Sequence, residues 1–310
     1  MLLTFLTFLI SLYLVIRGAT WATRYAARLA HGLHFSPYAV GFIIVALISV
    51  LPETFVSISS IIQEMPSFGL GTLFGSNVAD LTLIIAIIIF YAGRGIKIES
   101  KILSTNRLYS FLLFIPLLLG LNGYYSRLEG AVLVIVGIVF YYMAFRREER
   151  EIPKESLVKG HHYKNIGLFL ISIAALLIGS HFTVMSAAKL AADAHINPML
   201  IGMFVVGLGT TLPELFFALK SVKRGNDSLA VGDILGTVLT DATIVIGTMA
   251  LIHPFSFSPA IIYVTGAFMV SASFLLFKFM YSGKIISKKE AFLLLSFWIL
   301  FVFVECMVSK

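Results

Sequence analysis

Apolar runs of roughly 20 residues follow one another along the whole chain, and each is long enough to cross a hydrocarbon core of about 30 Å. Runs such as LTLIIAIIIF at 81–90 do not alternate polar with apolar residues, so they do not read as strands of a lipid-facing barrel. A helix satisfies its own backbone hydrogen bonds inside lipid, and every run is therefore read as a helix. With 59% hydrophobic and 13% charged residues among 310, and a mean hydropathy of +0.96, no stretch remains for a sizeable soluble domain.

The spans are predicted at 2–30, 37–63, 70–92, 105–122, 128–146, 163–191, 198–221, 228–252, 258–279 and 286–308. The N-terminal MLLTFLTFLISLYLVIRG has no basic residue ahead of its apolar run, unlike a signal peptide, and is read as the first span, retained. The net charge of +7 could point to nucleic acid, but the basic residues sit in short loops between apolar runs, where they set membrane orientation. Loops after odd-numbered spans carry nineteen of them, including Arg94, Lys97, Lys101, Arg107, Lys220, Lys223 and Arg224. The opposite side carries only Arg127, Lys189 and Lys310, which puts both termini outside. Cys306 is the single cysteine, so neither a disulfide framework nor a cysteine metal cluster is available, and it reads as a packing residue.

RREEREIPKESLVKGHHYK splits the chain near its middle, leaving five spans on each side. Adding 161 to a first-half position pairs Gly18 with Gly179, Ala30 with Ala191, His34 with His195, Pro37 with Pro198 and Gly41 with Gly202. The same ungapped offset joins Leu51-Pro52-Glu53 to Leu212-Pro213-Glu214, Gly71 to Gly232, Gly75 to Gly236 and Asp80 to Asp241. Because five is odd, two similar halves must have opposite topology. The expected fold is an all-α integral membrane protein of ten transmembrane helices in two inverted-topology five-helix repeats, 1–146 and 163–310, joined by a charged cytoplasmic loop at 147–162. Inverted repeats are characteristic of alternating-access transporters that bind substrate at mid-membrane.

The sequence reading counts four carboxylates inside apolar spans, Glu53 with Asp80 and Glu214 with Asp241, and no lysine or arginine at matching depth. Each acid at a helix centre costs about 2.5–3.5 kcal/mol on insertion scales, so an external cation is expected to neutralise them. Pro52 and Pro213 each remove a helical N–H beside a glutamate and free backbone oxygens. Ser49, Thr210 and Thr211 precede these prolines, and Ser76 and Thr237 share a helix face with Asp80 and Asp241 at i+4. A lone membrane proline is ordinarily a tolerated kink, and glycines four apart, as at 71, 75, 232 and 236, ordinarily pack helices. Here all of them recur twice in register with buried acids, and oxygen donors without nitrogen or sulfur suit hard cations such as calcium.

GLGTTLPELFFALKSVKRGNDSLAVGDILGTVLTDATIVIG resembles the second alpha-repeat of the sodium/calcium exchangers of the cation/calcium antiporter superfamily. VALISVLPETFVSISS followed by GLGTLFGSNVADLTLIIA resembles the first. The resemblance implies an antiporter exchanging calcium for sodium by alternating access, with Glu53 and Glu214 as calcium carboxylates completed by the carbonyls of Ser49 and Thr210. It implies sodium positions using Ser76, Thr211 and Thr237 with carbonyls near Ala46 and Gly207, and Asp241 lining the centre. The first and sixth spans would slide over the rest. Three residues depart from the family pattern: Ile48 replaces a glycine, Val50 replaces a hydroxyl residue, and Asp80 stands where asparagine is frequent. Val50 removes a hydroxyl from the sodium position partnered by Thr237, and Asp80 adds a fourth acid. Four acids at close quarters cannot all ionise without cations, which opens a second reading, a proton-coupled calcium or divalent-cation antiporter.

A different class, an intramembrane hydrolase using paired acids, is the remote alternative. The sequence has no HExxH, no Gly-x-Ser-x-Gly and no phosphate-binding loop, and the chain is not read as an enzyme. His161 and His162 read as solvated loop, His34 and His195 as interfacial helix boundaries, and Trp21, Tyr124 and Tyr125 as interface aromatics. The expectation is a multi-pass protein of the plasma (inner) membrane. No cofactor is expected beyond transported Ca2+ and Na+ (or H+), and no partner beyond inorganic cations and the lipid bilayer: neither nucleic acid nor another protein.

Overall fold

The computed structural model describes residues 1–30, 46–98, 108–148 and 162–308. His34, Pro37, Gly41, Lys101, Arg107 and His161, with the start of the second predicted span and most of the central charged loop, lie outside the described residues. Ten helices occur among those described: α1 Leu2–Ala30, α2 Ala46–Ile62, α3 Pro66–Ala92, α4 Tyr109–Leu119, α5 Arg127–Glu148, α6 His162–Ala194, α7 Pro198–Lys223, α8 Asp227–Ile252, α9 Ile261–Gly283 and α10 Lys288–Val308. Eight are long and apolar enough to cross a membrane, while α2 and α4 are shorter apolar helices. The span expected at 105–122 is thus reduced, and α4 is also interrupted at Leu113. Pro116 explains the interruption: it lacks an N–H and crowds the carbonyl of Leu112, four residues back.

Helices α3 and α8 form the buried centre. Their glycine and alanine content lets neighbours approach on every side, as an element apolar all round requires. Gly71 and Gly75 of α3 face Met199 and Met203 of α7, where an added Cβ would lie 2.8 and 2.3 Å from the methionine Cγ atoms. Gly130 of α5 and Gly247 of α8 cross so closely that a Cβ on either would meet the other's carbonyl oxygen, at 2.7 and 2.6 Å. The positions related to this pair by the 161-residue offset are Ala291 and Ala86, both buried, on helices α10 and α3, which also pack together.

Helices α1 and α6 pack chiefly on each other, around a smaller apolar cluster with Val15, Ala19, Leu176 and Ala187. Their contact is reciprocal under the offset. A Cβ on Gly18 would meet Leu176 and the Ser172 carbonyl, and one on Gly179 would meet Val15 and the Ser11 carbonyl. Two short antiparallel ribbons are related in a similar way with a two-residue shift, pairing Ile96–Lys97 with Ile285–Ile286 and Tyr124–Tyr125 with Phe255–Ser256. Each ribbon ties one half of the chain to the other.

Arg94, just after α3, holds Asp227 at the start of α8 through two hydrogen bonds of 2.7 and 2.8 Å, and the Lys97 N–H adds a third at 3.0 Å. A bidentate pair with one half-exposed partner contributes about 1 kcal/mol. Arg94→Ala is therefore expected to lower the melting temperature of the detergent-solubilised protein by about 2–4 °C. A change within error would show the pair to be energetically silent.

Candidate cation site

Helix α2 is broken at Val50 and α7 at Thr211, one residue before the Leu-Pro-Glu triplets. Both breaks keep near-helical angles, φ −71 and ψ −5 at Val50 and φ −78 and ψ −5 at Thr211. Pro52 and Pro213 each occupy the first turn of the segment that follows, where a missing N–H is tolerated. Glu53 and Glu214 then sit in those first turns, fully buried. The hydroxyls ahead of the breaks bond back along the chain: Ser49 to the Ala46 carbonyl at 3.3 Å, Thr210 to Gly207 at 3.0 Å and Thr211 to Leu208 at 3.0 Å.

Asp80 and Asp241 open π-helical turns, Asp80–Ile84 and Asp241–Val245, at positions related by the offset. Thr82 and Thr243 lie within these turns. Their hydroxyls donate to the carbonyls four residues back, Val78 at 2.5 Å and Leu239 at 2.6 Å, in competition with the regular backbone ladder. Such turns occur often at functional sites. The segment Ala46–Ser49 packs on α8, and Gly207–Thr210 packs on α3, so each broken helix meets the π-bulged helix of the other half. Tyr141 and Tyr109 fix α8 from outside by donating to the Gly236 and Leu235 carbonyls at 2.8 and 2.7 Å.

Both carboxylate oxygens of Glu53, Asp80, Glu214 and Asp241 are buried and have no hydrogen-bond partner in the protein. The acids lie close enough for charge on one to act on another: Glu214 with Glu53, Asp233 and Asp80, and Asp241 with Glu53 and Asp80. A buried charge is tolerated only when paired or coordinated, so this group is suited to a cation delivered from outside. Among the described residues no three carboxylate, imidazole or thiol groups converge as a metal site. Neutral oxygens are therefore needed beside the carboxylates, and the hydroxyl residues Ser76, Thr210, Thr211 and Thr237 are all buried.

The count of four intramembrane acids needs correcting. Asp233 is also fully buried, accepts from Ser49 Oγ at 3.2 Å, and leaves Oδ2 without a partner. Its signal is its spacing: Asp233, Thr237 and Asp241 recur at i, i+4 and i+8 on one face of α8, as Thr72, Ser76 and Asp80 do on α3. The Ser49 hydroxyl also lies 3.0 Å from Thr237 Oγ1. A further buried acid, Glu305 near the end of α10, accepts from Thr265 at 2.5 Å and stands apart from the group.

Eight helices able to span a bilayer, two broken helices and a buried group of unpartnered acids are the features of a membrane transporter rather than an enzyme. The chain belongs to the sodium/calcium exchanger protein family, whose model matches residues 3–146 and 164–307, and it is accordingly a cation antiporter. It is 24% identical to the sodium/calcium exchanger MaX1 of Methanosarcina acetivorans over 88% of this chain and 89% of that protein. It is 27% identical to the inner membrane protein YrbG of Escherichia coli over 84% and 83%. The solved sodium-calcium exchanger NCX_Mj, soaked with sodium and strontium, superposes with a TM-score of 0.70 over 96% of this chain and 97% of its own, at 22% identity, and so shares the fold.

Proposed function

We propose that this protein exchanges calcium for sodium across a plasma (inner) membrane by alternating access. Glu53 and Glu214 hold calcium, with the carbonyls of Ser49 and Thr210 completing its shell. Asp80 and Asp241 line the centre, and sodium occupies flanking positions built from Ser76, Thr211 and Thr237 with the carbonyls of Ala46 and Gly207. The observation that carries this reading is the set of eight carboxylate oxygens, on Glu53, Asp80, Glu214 and Asp241, that are buried without any hydrogen-bond partner. Calcium, a hard cation, takes six to eight oxygen ligands, and carboxylate, carbonyl and hydroxyl oxygens can supply them.

In this reading all ten helices cross the bilayer, as two inverted five-helix repeats over 1–146 and 163–310, with both termini outside. The reciprocal glycine contacts of α1 and α6 and the paired ribbons support a two-fold relation. The α1–α6 pair, packed chiefly on itself, is suited to move as a unit over the remaining helices. A proton gradient is the second candidate for the driving force, favoured by Asp80 and by the absence of a hydroxyl at Val50.

Calcium uptake into proteoliposomes under an imposed sodium gradient and, separately, a proton gradient tests both readings. Sodium-driven uptake, absent when Glu53 and Glu214 are both changed to Gln, is the expected result. Uptake with protons alone would replace sodium as the coupling ion, and no calcium flux with either gradient in folded protein would end the calcium assignment.

A further inference from the structure

The oxygen donors around the glutamates fall into two corners, one where α2 meets α8 and one where α7 meets α3. The 161-residue offset matches them position by position: Ser49 with Thr210, Val50 with Thr211, Asp233 with Thr72 and Thr237 with Ser76. The α7–α3 corner carries a hydroxyl residue at each of the four positions and no acid among them. The α2–α8 corner differs at two of the four positions, with an apolar Val50 in place of a hydroxyl and a carboxylate, Asp233, in place of another.

The geometry ties Asp233 into that corner. Ser49 Oγ lies 3.2 Å from Asp233 Oδ1 and 3.0 Å from Thr237 Oγ1, so one hydroxyl bridges the acid and the second hydroxyl. All three residues are at most 2% exposed, and Asp233 Oδ2 has no partner. The one ion pair among the described residues, Arg94 with Asp227, is at the mouth of α8, a turn and a half before Asp233. The corner that lacks a hydroxyl at Val50 thus holds a carboxylate, Asp233, instead.

We propose that Asp233, with Ser49 and Thr237, forms an anionic cation-binding position that is unequal to the hydroxyl-only position around Ser76 and Thr211. The proposal rests on the exchange reading above and deepens it. A carboxylate attracts a hard cation more strongly than a hydroxyl dipole does, and ligand charge sets affinity in such sites. Sodium therefore fills the Asp233 corner first and the other corner only at higher concentration, so equilibrium binding has two phases.

The test is equilibrium binding of radioactive sodium, and separately of radioactive calcium in sodium-free buffer, to the purified full-length protein. Asp233→Asn is expected to remove the tighter sodium phase, raising its half-saturating concentration at least about 10-fold, while calcium affinity changes by less than about 3-fold. Ser76→Ala is expected to shift only the weaker phase. Thr237→Ala keeps the acid and is expected to weaken the tighter phase to a smaller extent, which covers the case in which Asp233→Asn fails to fold. An unchanged sodium curve in a folded Asp233→Asn or Thr237→Ala variant would overturn the proposal. So would equal loss of calcium and sodium, which would make Asp233 part of the central site or of the scaffold. Wild-type protein that binds neither ion would remove the exchange reading itself, and this position with it.

Discussion

Glu53→Gln and Glu214→Gln, each made alone, are expected to weaken calcium binding at least about 100-fold, close to 3 kcal/mol. Glutamine preserves the shape of the side chain but withdraws one of the two charges facing the cation from the two Leu-Pro-Glu segments. The thermal behaviour should invert at the same time. Without cations, the wild type keeps fully buried acids with no partner, so neutralising one removes a cost of folding and the variant should melt higher. With calcium in excess, the wild type gains stability by mass action and the variant does not. Radioactive calcium binding together with melting curves in chelator and in calcium reads both effects. A variant that keeps wild-type affinity would take the glutamates out of the site.

Gly247→Leu should prevent assembly of the native helix bundle. A Cβ at Gly247 would lie 2.6 Å from the Gly130 carbonyl oxygen and 2.8 Å from Val134, and a carbonyl within a helix cannot swing aside. The crossing of α5 and α8 would have to open along its length, and α8 carries Asp233, Thr237 and Asp241. In lipid there is no hydrophobic gain to offset lost packing, because the tails are as apolar as the side chains they would replace. The expected outcome is an aggregated or absent peak in size-exclusion chromatography. Gly167→Leu is the matched control: nothing lies within 4 Å of its added Cβ, and the variant should elute as the wild type does. Native elution of Gly247→Leu would mean that the α5–α8 crossing is looser than described.

Much of the site could be read before the fold. Glu53, Asp80, Glu214 and Asp241 stood out because an acid inside an apolar run needs a reason, and because each occurs at the same offset as its counterpart. Asp233 escaped the count although it falls within the predicted span 228–252. Its offset partner is Thr72, so the repeat does not mark Asp233 as it marks the other acids. The placement of Ser49 was half legible. Its place ahead of Pro52 marked its hydroxyl and the family resemblance its carbonyl, while the direction of the hydroxyl depends on a helix 184 residues further along the chain.

The membrane class, the approximate helices, the internal duplication and the four paired acids were determined by the sequence alone, because each is a matter of local composition or spacing along one chain. Lipid enforces the helical reading of every apolar run, and a repeat needs no partner to be recognised. Only the tertiary structure decided which helices meet. It set the broken α2 against α8 and the broken α7 against α3, and it gathered acids that are far apart in sequence. It also turned Asp233, whose offset partner Thr72 is not an acid, toward Ser49 and Thr237, so that two corners alike in sequence register became unlike in chemistry. Which side chains share a buried pocket depends on helix crossing and rotation, and those are fixed by packing at glycine contacts such as Gly75 against Met203 rather than by periodicity within any one helix.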